Sequence, residues 1–169
     1  PLQRLAQHVR QSRLARLLAT ERSPTGYRVL DSAAALAWCD GLWRPTVYLS
    51  RGLLERVDAH ELAIGLAHEN AHVARRDNLA GLTIDWSTLL WPPSIRRAIG
   101  ADFSAAAEQA CDLAAAQTSG CAQRVAAVIS LLGEVEQHHT TTASGMAQDN
   151  NVEQRLASLT TADDDQKSS

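Results

Sequence analysis

The pentapeptide His68-Glu69-Asn70-Ala71-His72 is the feature that most constrains how this chain can fold. It lies in residues 59–79, whose apolar side chains recur at helical spacing. Side chains four residues apart share a helix face, so His68 and His72 can point at one metal ion. Glu69 is rotated from His68 by about 100°, which lets it reach a water beside the metal. Two imidazoles and a neighbouring carboxylate base are what a zinc hydrolase requires, whereas the alternative is a chance match on a structural helix.

The start of this helix has its own signal. Asp58 is the predicted N-cap, and Glu61 three residues later completes the pattern of a capping box. At the other end, Asp77 either anchors the helix end or pairs with a group that supports a metal ligand. The sequence therefore predicts one helix over residues 59–79 that carries the pentapeptide.

A third metal ligand is expected downstream, because a catalytic zinc usually has three protein ligands and one open position. A second predicted helix, residues 104–118, carries Glu108 and Asp112 four residues apart on one face. We expect Glu108 to bind the metal and Asp112 to accept a hydrogen bond from the outer nitrogen of a ligating histidine. Cys111 is a softer candidate ligand, but it falls on another face if Glu108 points at the metal. The alternative is that both acids are solvated surface groups.

His68-Glu69-x-x-His72 followed by Glu108-x-x-x-Asp112 is the gluzincin pattern, and the flanking residues narrow the resemblance. The chain resembles the peptidase domain of the BlaR/MecR antibiotic-sensor family and is similar to its HtpX and CaaX-protease relatives. The resemblance covers residues 27–159 and rests on four segments: RPTVYLSRGLL at 44–54, LAHENAHVARRDNL at 66–79, EQACD at 108–112 and NVEQRLASL at 151–159.

The resemblance implies a zinc-dependent endopeptidase that acts on a peptide or protein substrate. Zinc held by His68, His72 and Glu108 would activate a water, and Glu69 would take its proton and deliver it to the leaving amine. Arg155 is the first choice for a second donor to the oxyanion, because it stays charged and resembles the family's closing arginine segment. His138 and His139 are the alternatives.

Two other classes of function stay open. One is a zinc-binding sensory or regulatory module with little or no free proteolytic activity. The other is a helical structural domain in which the motif is accidental. Stoichiometric zinc would exclude the structural domain, and Glu69→Gln would separate the enzyme from the sensor.

Length and composition predict one α+β domain, mainly helical and zincin-like, with a small β-sheet beside the active-site helix. It would span residues 1–159, followed by a disordered acidic tail over residues 160–169. The apolar fraction of 45% is ordinary for a globular protein, and the mixed charges, net −3, offer no basic tract for nucleic acid. Three cysteines without close pairing favour reduced thiols and a cytoplasmic location. The oligomeric state stays open.

Membrane association is expected through flanking segments outside this chain. Members of the resembled family carry transmembrane helices, but the chain has no run of about 18 apolar residues and no signal peptide. We therefore expect either an excised soluble domain, such as the cytoplasmic domain of a membrane protein, or a soluble member of the resembled family. Residues 82–99 combine Trp86, Trp91 and the Pro92-Pro93 pair with two arginines. They form either a membrane-interface segment or a covering helix broken by the prolines.

The remaining pattern predicts further elements. A helix is expected over residues 2–20, a turn over 21–26, strands over 27–31, 34–38 and 46–50, and a loop over 39–45. Downstream, a helix is expected over residues 120–136 and a polar loop over 137–151. By the family analogy, the edge strand of the small sheet is where an extended peptide would pair through its backbone.

Overall fold

The computed structural model describes residues 17–119 together with residues 125, 127 and 128. In this part of the chain, a four-stranded mixed sheet is followed by four helices, which confirms the predicted α+β, mainly helical class. The elements are β1 (Ala19–Arg22), β2 (Arg28–Leu30), β3 (Ala37–Asp40), β4 (Thr46–Ser50), α1 (Arg51–Leu54), α2 (Ala59–Arg75), α3 (Asp77–Ser87) and α4 (Pro93–Ser119).

The sheet has the strand order β1-β2-β4-β3, which makes β3 an edge strand. β2 and β4 run parallel, whereas the other two neighbouring pairs run antiparallel. Along β4, Val47 and Leu49 face a buried cluster whose other members include Leu62 and Leu66 of α2. Tyr48 points to the opposite face and stacks on Trp38 at 5.4 Å between ring centroids. Side chains of β4 therefore alternate between the two faces of the sheet. Helix α2 packs on the face formed by Val47 and Leu49.

The connection from β4 to α1 is closely packed. The Ser50 hydroxyl accepts hydrogen bonds from the backbone N–H groups of Leu53 at 3.1 Å and Leu36 at 2.8 Å, so it caps α1 and holds the preceding loop. Gly52 lies so close to Ala33 that a Cβ at this position would fall 2.1 Å from the Ala33 carbonyl oxygen. Only glycine fits here without moving the backbone.

The predicted N-terminus of the motif helix is confirmed. The Asp58 carboxylate accepts hydrogen bonds from the backbone N–H groups of His60 at 2.7 Å and Glu61 at 2.8 Å, and Glu61 accepts one from the Asp58 backbone N–H at 2.9 Å. This reciprocal capping box satisfies donors that the first helical turn leaves without partners. Helix α2 therefore starts at Ala59, directly after the predicted N-cap.

The predicted end of that helix is wrong. A single helix over residues 59–79 was expected, but α2 ends at Arg75 and α3 begins at Asp77. The residue between them, Arg76, adopts a left-handed backbone conformation with φ 56° and ψ 44°. Glycine or asparagine usually signals such a break, and an arginine gives no such signal.

Three further predicted boundaries need correction. Strand β1 occupies Ala19–Arg22, where the end of a helix and a turn were expected. Strand β3 begins at Ala37 and includes Cys39 and Asp40, which were assigned to a loop. Helix α4 runs from Pro93, eleven residues before the expected start, because the Pro92-Pro93 pair opens the helix and does not interrupt one.

Helix α4 crosses α2 through small side chains. Ile64 of α2 lies in a buried cluster with Ala115 of α4 and with Val125 and Val128, and Ala67 and Ala116 pack against it. Alanines let two helices approach closely, which brings facing polar groups on the same helices within reach of one another. Among the described residues, no helix is both long enough and apolar enough to cross a membrane.

Several predictions fall on residues outside the described part. These are the helix over residues 2–16, most of the helix over residues 120–136, the loop over 137–151 with His138 and His139, Arg155, and the domain boundary at residue 159 with its tail.

Candidate metal centre

Three side chains from two helices converge on one point. His68 and His72 lie one turn apart on α2, and their Nε2 atoms are 3.2 Å from each other. Glu108 reaches them from α4, with Oε2 3.5 Å from Nε2 of His68 and Oε1 3.4 Å from Nε2 of His72. The potential ligand atoms of the three residues all lie within 4.8 Å of one another.

These separations fit the ligand shell of one tetrahedral ion. Ligand atoms about 2.0–2.2 Å from zinc at tetrahedral angles lie about 3.3–3.5 Å from one another. The three measured separations fall at or within about 0.1 Å of that range. Two imidazole nitrogens aimed at each other repel when both carry a lone pair, and a shared cation removes that repulsion. The residues present therefore suit a bound divalent metal.

Each histidine is held from behind by a carboxylate. Nδ1 of His68 lies 3.0 Å from Oδ1 of Asp112, and Nδ1 of His72 lies 2.8 Å from Oδ2 of Asp77. A carboxylate accepts a hydrogen bond, so both Nδ1 atoms carry the proton. Both Nε2 atoms then face Glu108 and are the atoms left to bind a metal, and neither ring can flip without losing its partner.

The carboxylates also set the charge of the histidines. Burial lowers the pKa of His68, but hydrogen bonds with Asp112 and Glu108 outweigh it and raise the pKa to about 9. For His72, burial again lowers the pKa, whereas contacts with Cys111, Glu108 and Asp77 raise it to about 11. Without a metal, the cluster therefore attracts protons, because Cys111 and three carboxylates surround two imidazoles.

Glu69, which follows His68 in sequence, is buried, with only 8% of its surface exposed. Burial raises the pKa of the Cys39 thiol on β3 to about 12, and the negative charge of Glu69 contributes to that shift. The carboxylate of Glu69 is therefore close to the edge strand as well as next to His68 in sequence.

A second donor group overlaps the first. His72, Asp77 and Cys111 also offer ligand atoms within 4.8 Å of one another. However, the 2.8 Å between His72 Nδ1 and Asp77 Oδ2 is a hydrogen-bond distance, shorter than two ligands of one metal allow. Cys111 Sγ is 3.9 Å from the same Asp77 oxygen. The group with Glu108 is the better metal site.

Comparison with known proteins identifies the family of the chain. The family described as BlaR1 peptidase M56 matches residues 4–159 of the chain. The chain belongs to this family. The predicted resemblance to the BlaR/MecR peptidases is thereby confirmed, and a metallopeptidase family implies a metal. No curated protein and no solved structure matches the chain.

The structure brings together four of the six predicted site residues. His68, His72 and Glu108 meet at one point, and Asp112 lies behind His68. Glu69 follows His68 in sequence and is buried. Arg155 lies outside the described residues, so its role stays a prediction.

Asp77 is a residue for which the sequence left two roles open. It contacts His72 and also accepts from Nε of Arg75, at 3.2 and 3.3 Å to its two oxygens. Asp77 therefore binds a predicted metal ligand directly, where the sequence suggested a group that supports one, and it also pairs with Arg75 at the end of α2. Its position five residues after His72 gave no signal, because a continuous helix would place it elsewhere.

Proposed function

We propose that this chain is a zinc-dependent endopeptidase domain of the M56 family. In this proposal His68, His72 and Glu108 hold the ion, Asp112 and Asp77 fix the two rings, and Glu69 is the general base. The observation that carries it is the convergence of two Nε2 atoms and one carboxylate, with both Nδ1 atoms already bound to carboxylates.

The donor set favours zinc over other divalent ions. Two imidazoles and one carboxylate form a common ligand set of catalytic zinc and leave one position for a water or substrate. Magnesium and calcium prefer shells made almost entirely of oxygen atoms. When bound, zinc supplies a Lewis acid that polarises the scissile carbonyl and acidifies a water.

Glu69 supplies the proton transfer in this scheme. As a carboxylate, it takes one proton from the attacking water while the water oxygen forms a bond to the carbonyl carbon. It then gives that proton to the amine nitrogen as the carbon–nitrogen bond breaks. Burial beside His68 keeps the carboxylate away from bulk water and limits its orientations, which suits a group that handles one proton in each direction.

Substrate binding is proposed along β3. One side of this strand pairs with β4, and no strand pairs with its other side in the described part of the chain, where Nδ2 of Asn78 donates to the Cys39 carbonyl at 3.2 Å. An extended peptide can add to such an edge through main-chain hydrogen bonds. The cleaved bond would then lie near Glu69, whose charge reaches Cys39 on the same strand. Arg155 remains the proposed donor to the oxyanion.

The test combines metal content with cleavage of an unstructured protein substrate. We expect about one zinc per chain, lost or weakened in His68→Ala and Glu108→Ala. Glu69→Gln should keep the zinc and lower the cleavage rate by about 100-fold or more, because it removes only the base. Glu55→Gln, an exposed acid outside the cluster, is the matched control.

The outcomes separate the rival functions. Zinc bound in the native chain with no cleavage that depends on Glu69 would favour a sensory module. A native chain that takes up no zinc, even after zinc is added back, would overturn the metal centre and the peptidase together.

A further inference from the structure

The connection between α3 and α4 exposes an unusual set of large apolar side chains. Five of them fall within ten residues, and Leu90 is the most exposed at 95%. The chain turns sharply here: the backbone N–H of Trp91 donates to the carbonyl of Thr88 at 2.9 Å, and Thr88 itself is buried. We call this set the turn patch; its members are Trp86, Leu89, Leu90, Trp91 and Ile95.

Positive charge follows the turn patch along the chain, and Asp85, which directly precedes it, is only partly exposed. Between Asp85 and Asp102 the sequence contains Arg96 and Arg97 and no acidic residue. Both arginines lie in the first turns of α4, next to the apolar side chains. A protruding apolar turn with adjacent positive charge is complementary to a surface that is apolar inside and negatively charged outside.

We propose that the turn patch binds the surface of an anionic lipid bilayer. Leu90 at the apex would enter the boundary of the acyl chains, and Trp86 and Trp91 would sit at the level of the headgroups, where indole rings are favoured. Arg96 and Arg97 would contact the lipid phosphates. A bilayer accepts a protruding side chain such as Leu90 without a preformed pocket, whereas a protein partner would need one.

This anchoring leaves the metal centre clear of the lipid. Helix α4 begins at Pro93, and Glu108 lies fifteen residues further along it. At 1.5 Å per residue, the start of this helix and the metal ligand are about 22 Å apart along the helix axis. Substitutions in the turn patch should therefore change lipid binding without changing the metal centre.

The test is co-sedimentation of the full chain with vesicles. One vesicle type contains phosphatidylcholine and phosphatidylglycerol, and the other contains phosphatidylcholine alone. We expect binding to the anionic vesicles, reduced about tenfold by Leu90→Ser. Arg96→Gln with Arg97→Gln should reduce it by about fivefold for each arginine lost. Higher salt should weaken the arginine contribution and leave the apolar contribution in place.

Trp43→Ser provides a matched control. Trp43 is also exposed and is also followed by an arginine, Arg44, but it lies in the turn between β3 and β4. Its loss should leave vesicle binding unchanged. Brominated lipids should quench Trp91 fluorescence, and Trp91→Phe should remove more of the quenching than Trp43→Phe does. Zinc content and circular dichroism of every variant check that the fold is intact.

Three results would overturn the proposal. The first is a native chain that fails to bind anionic vesicles. The second is equal loss of binding in the Trp43→Ser and Leu90→Ser variants. The third is a concentration-dependent dimer in sedimentation velocity that Leu90→Ser abolishes while vesicle binding is absent, which would assign the turn patch to a second copy of the chain.

Discussion

At the scale of single residues, the centre is a balance between two imidazoles and three carboxylates. Asp77, Glu108 and Asp112 each lie within 3.5 Å of a ring nitrogen of His68 or His72. Arg75 pairs with Asp77, and the other two acids attract either protons on the rings or a divalent ion in their place. The same excess of negative charge raises the pKa of both rings when the ion is absent.

The contact behind His68 leads to a first prediction. Asp112 is fully buried, and its Oδ1 lies 3.0 Å from His68 Nδ1. Asp112→Asn keeps the volume but removes the charge that makes the ring a stronger ligand, so zinc affinity should fall by roughly 10–100-fold. Competition with a chelator measures the change. Asp102→Asn, an exposed acid on the same helix, should bind zinc like the native chain. An unchanged chelator midpoint for Asp112→Asn would contradict the role given to this carboxylate.

At the scale of elements, the capping box determines where the motif helix begins. Asp58→Ala removes the acceptor for two backbone N–H groups and should lower the free energy of unfolding by about 1 kcal/mol. Asp58→Asn is the matched control. Asparagine caps a helix nearly as well, so this variant should lose only a few tenths of the unfolding free energy that Asp58→Ala loses. Urea denaturation at neutral pH measures both. Equal losses in the two variants would mean that the charge of Asp58, and not its capping geometry, stabilises the helix.

The break at Arg76 determines the position of Asp77. In a continuous helix, residue 77 would be rotated by about 140° from His72 and could not reach its ring. The left-handed Arg76 turns the chain so that Asp77 begins α3 and contacts His72 at 2.8 Å. The helix break is therefore part of the metal centre.

This backbone conformation gives a third prediction. Arg76→Gly should raise the free energy of unfolding by up to about 1 kcal/mol, because glycine adopts positive φ without steric cost. Arg76→Val should lower the unfolding free energy by at least as much, since a β-branched residue resists this conformation. Zinc affinity should stay the same in Arg76→Gly. It should fall in Arg76→Val, because the backbone relieves its strain by moving Asp77 away from His72. A stabilised Val variant would be incompatible with the left-handed turn.

Sequence reasoning succeeded where the determining contacts are local. The N-terminus of α2 follows from Asp58 and Glu61, three residues apart, and strand β4 follows from its own β-branched and aromatic residues. The start of β3 and the presence of β1 depend on pairing with strands elsewhere in the sheet, which short windows do not contain. The position of Asp77 depends on one backbone angle at an arginine. The ligand residues could be predicted because their spacing is itself helical, whereas their mutual distances required α4 to cross α2.

At the scale of the whole molecule, the sheet, α2 and α4 form one support for the centre. The sheet fixes α2 through Leu62 and Leu66, and α4 packs on α2 through its alanines. The ligands therefore come from two helices that are held together only when the chain is folded. Metal binding should accordingly stabilise the folded state by mass action, and chelation should lower the unfolding temperature.

The charge of the centre makes the stability of the folded chain depend on pH. As the pH rises, the metal-free chain should lose stability, whereas zinc should bind more tightly and stabilise the loaded chain more. In the metal-free chain, the folded pKa values of about 9 for His68 and 11 for His72 lie above the ordinary value of 6.5. Their contribution is complete below pH 6.5 and is lost as the pH rises through the folded values. Between about pH 7 and 9, stability should therefore fall by at most about 1.4 kcal/mol per pH unit for each histidine. Zinc requires unprotonated Nε2 atoms, so its affinity should rise over the same range.

Thermal unfolding of the chelated and zinc-loaded chain, at steps between about pH 7 and 9, tests this coupling. The window stops at pH 9 because the ordinary pKa of the Cys39 thiol is 9.0. Its pKa is raised in the folded chain, so Cys39 adds a further loss of stability at higher pH. His72→Ala should flatten the metal-free profile, whereas His60→Ala, an exposed histidine near the start of α2, should leave its slope unchanged. A metal-free unfolding temperature that rises with pH in this window would show that the two rings are not held protonated by their carboxylates. The metal would then displace no protons on binding, and zinc affinity would lose its dependence on pH.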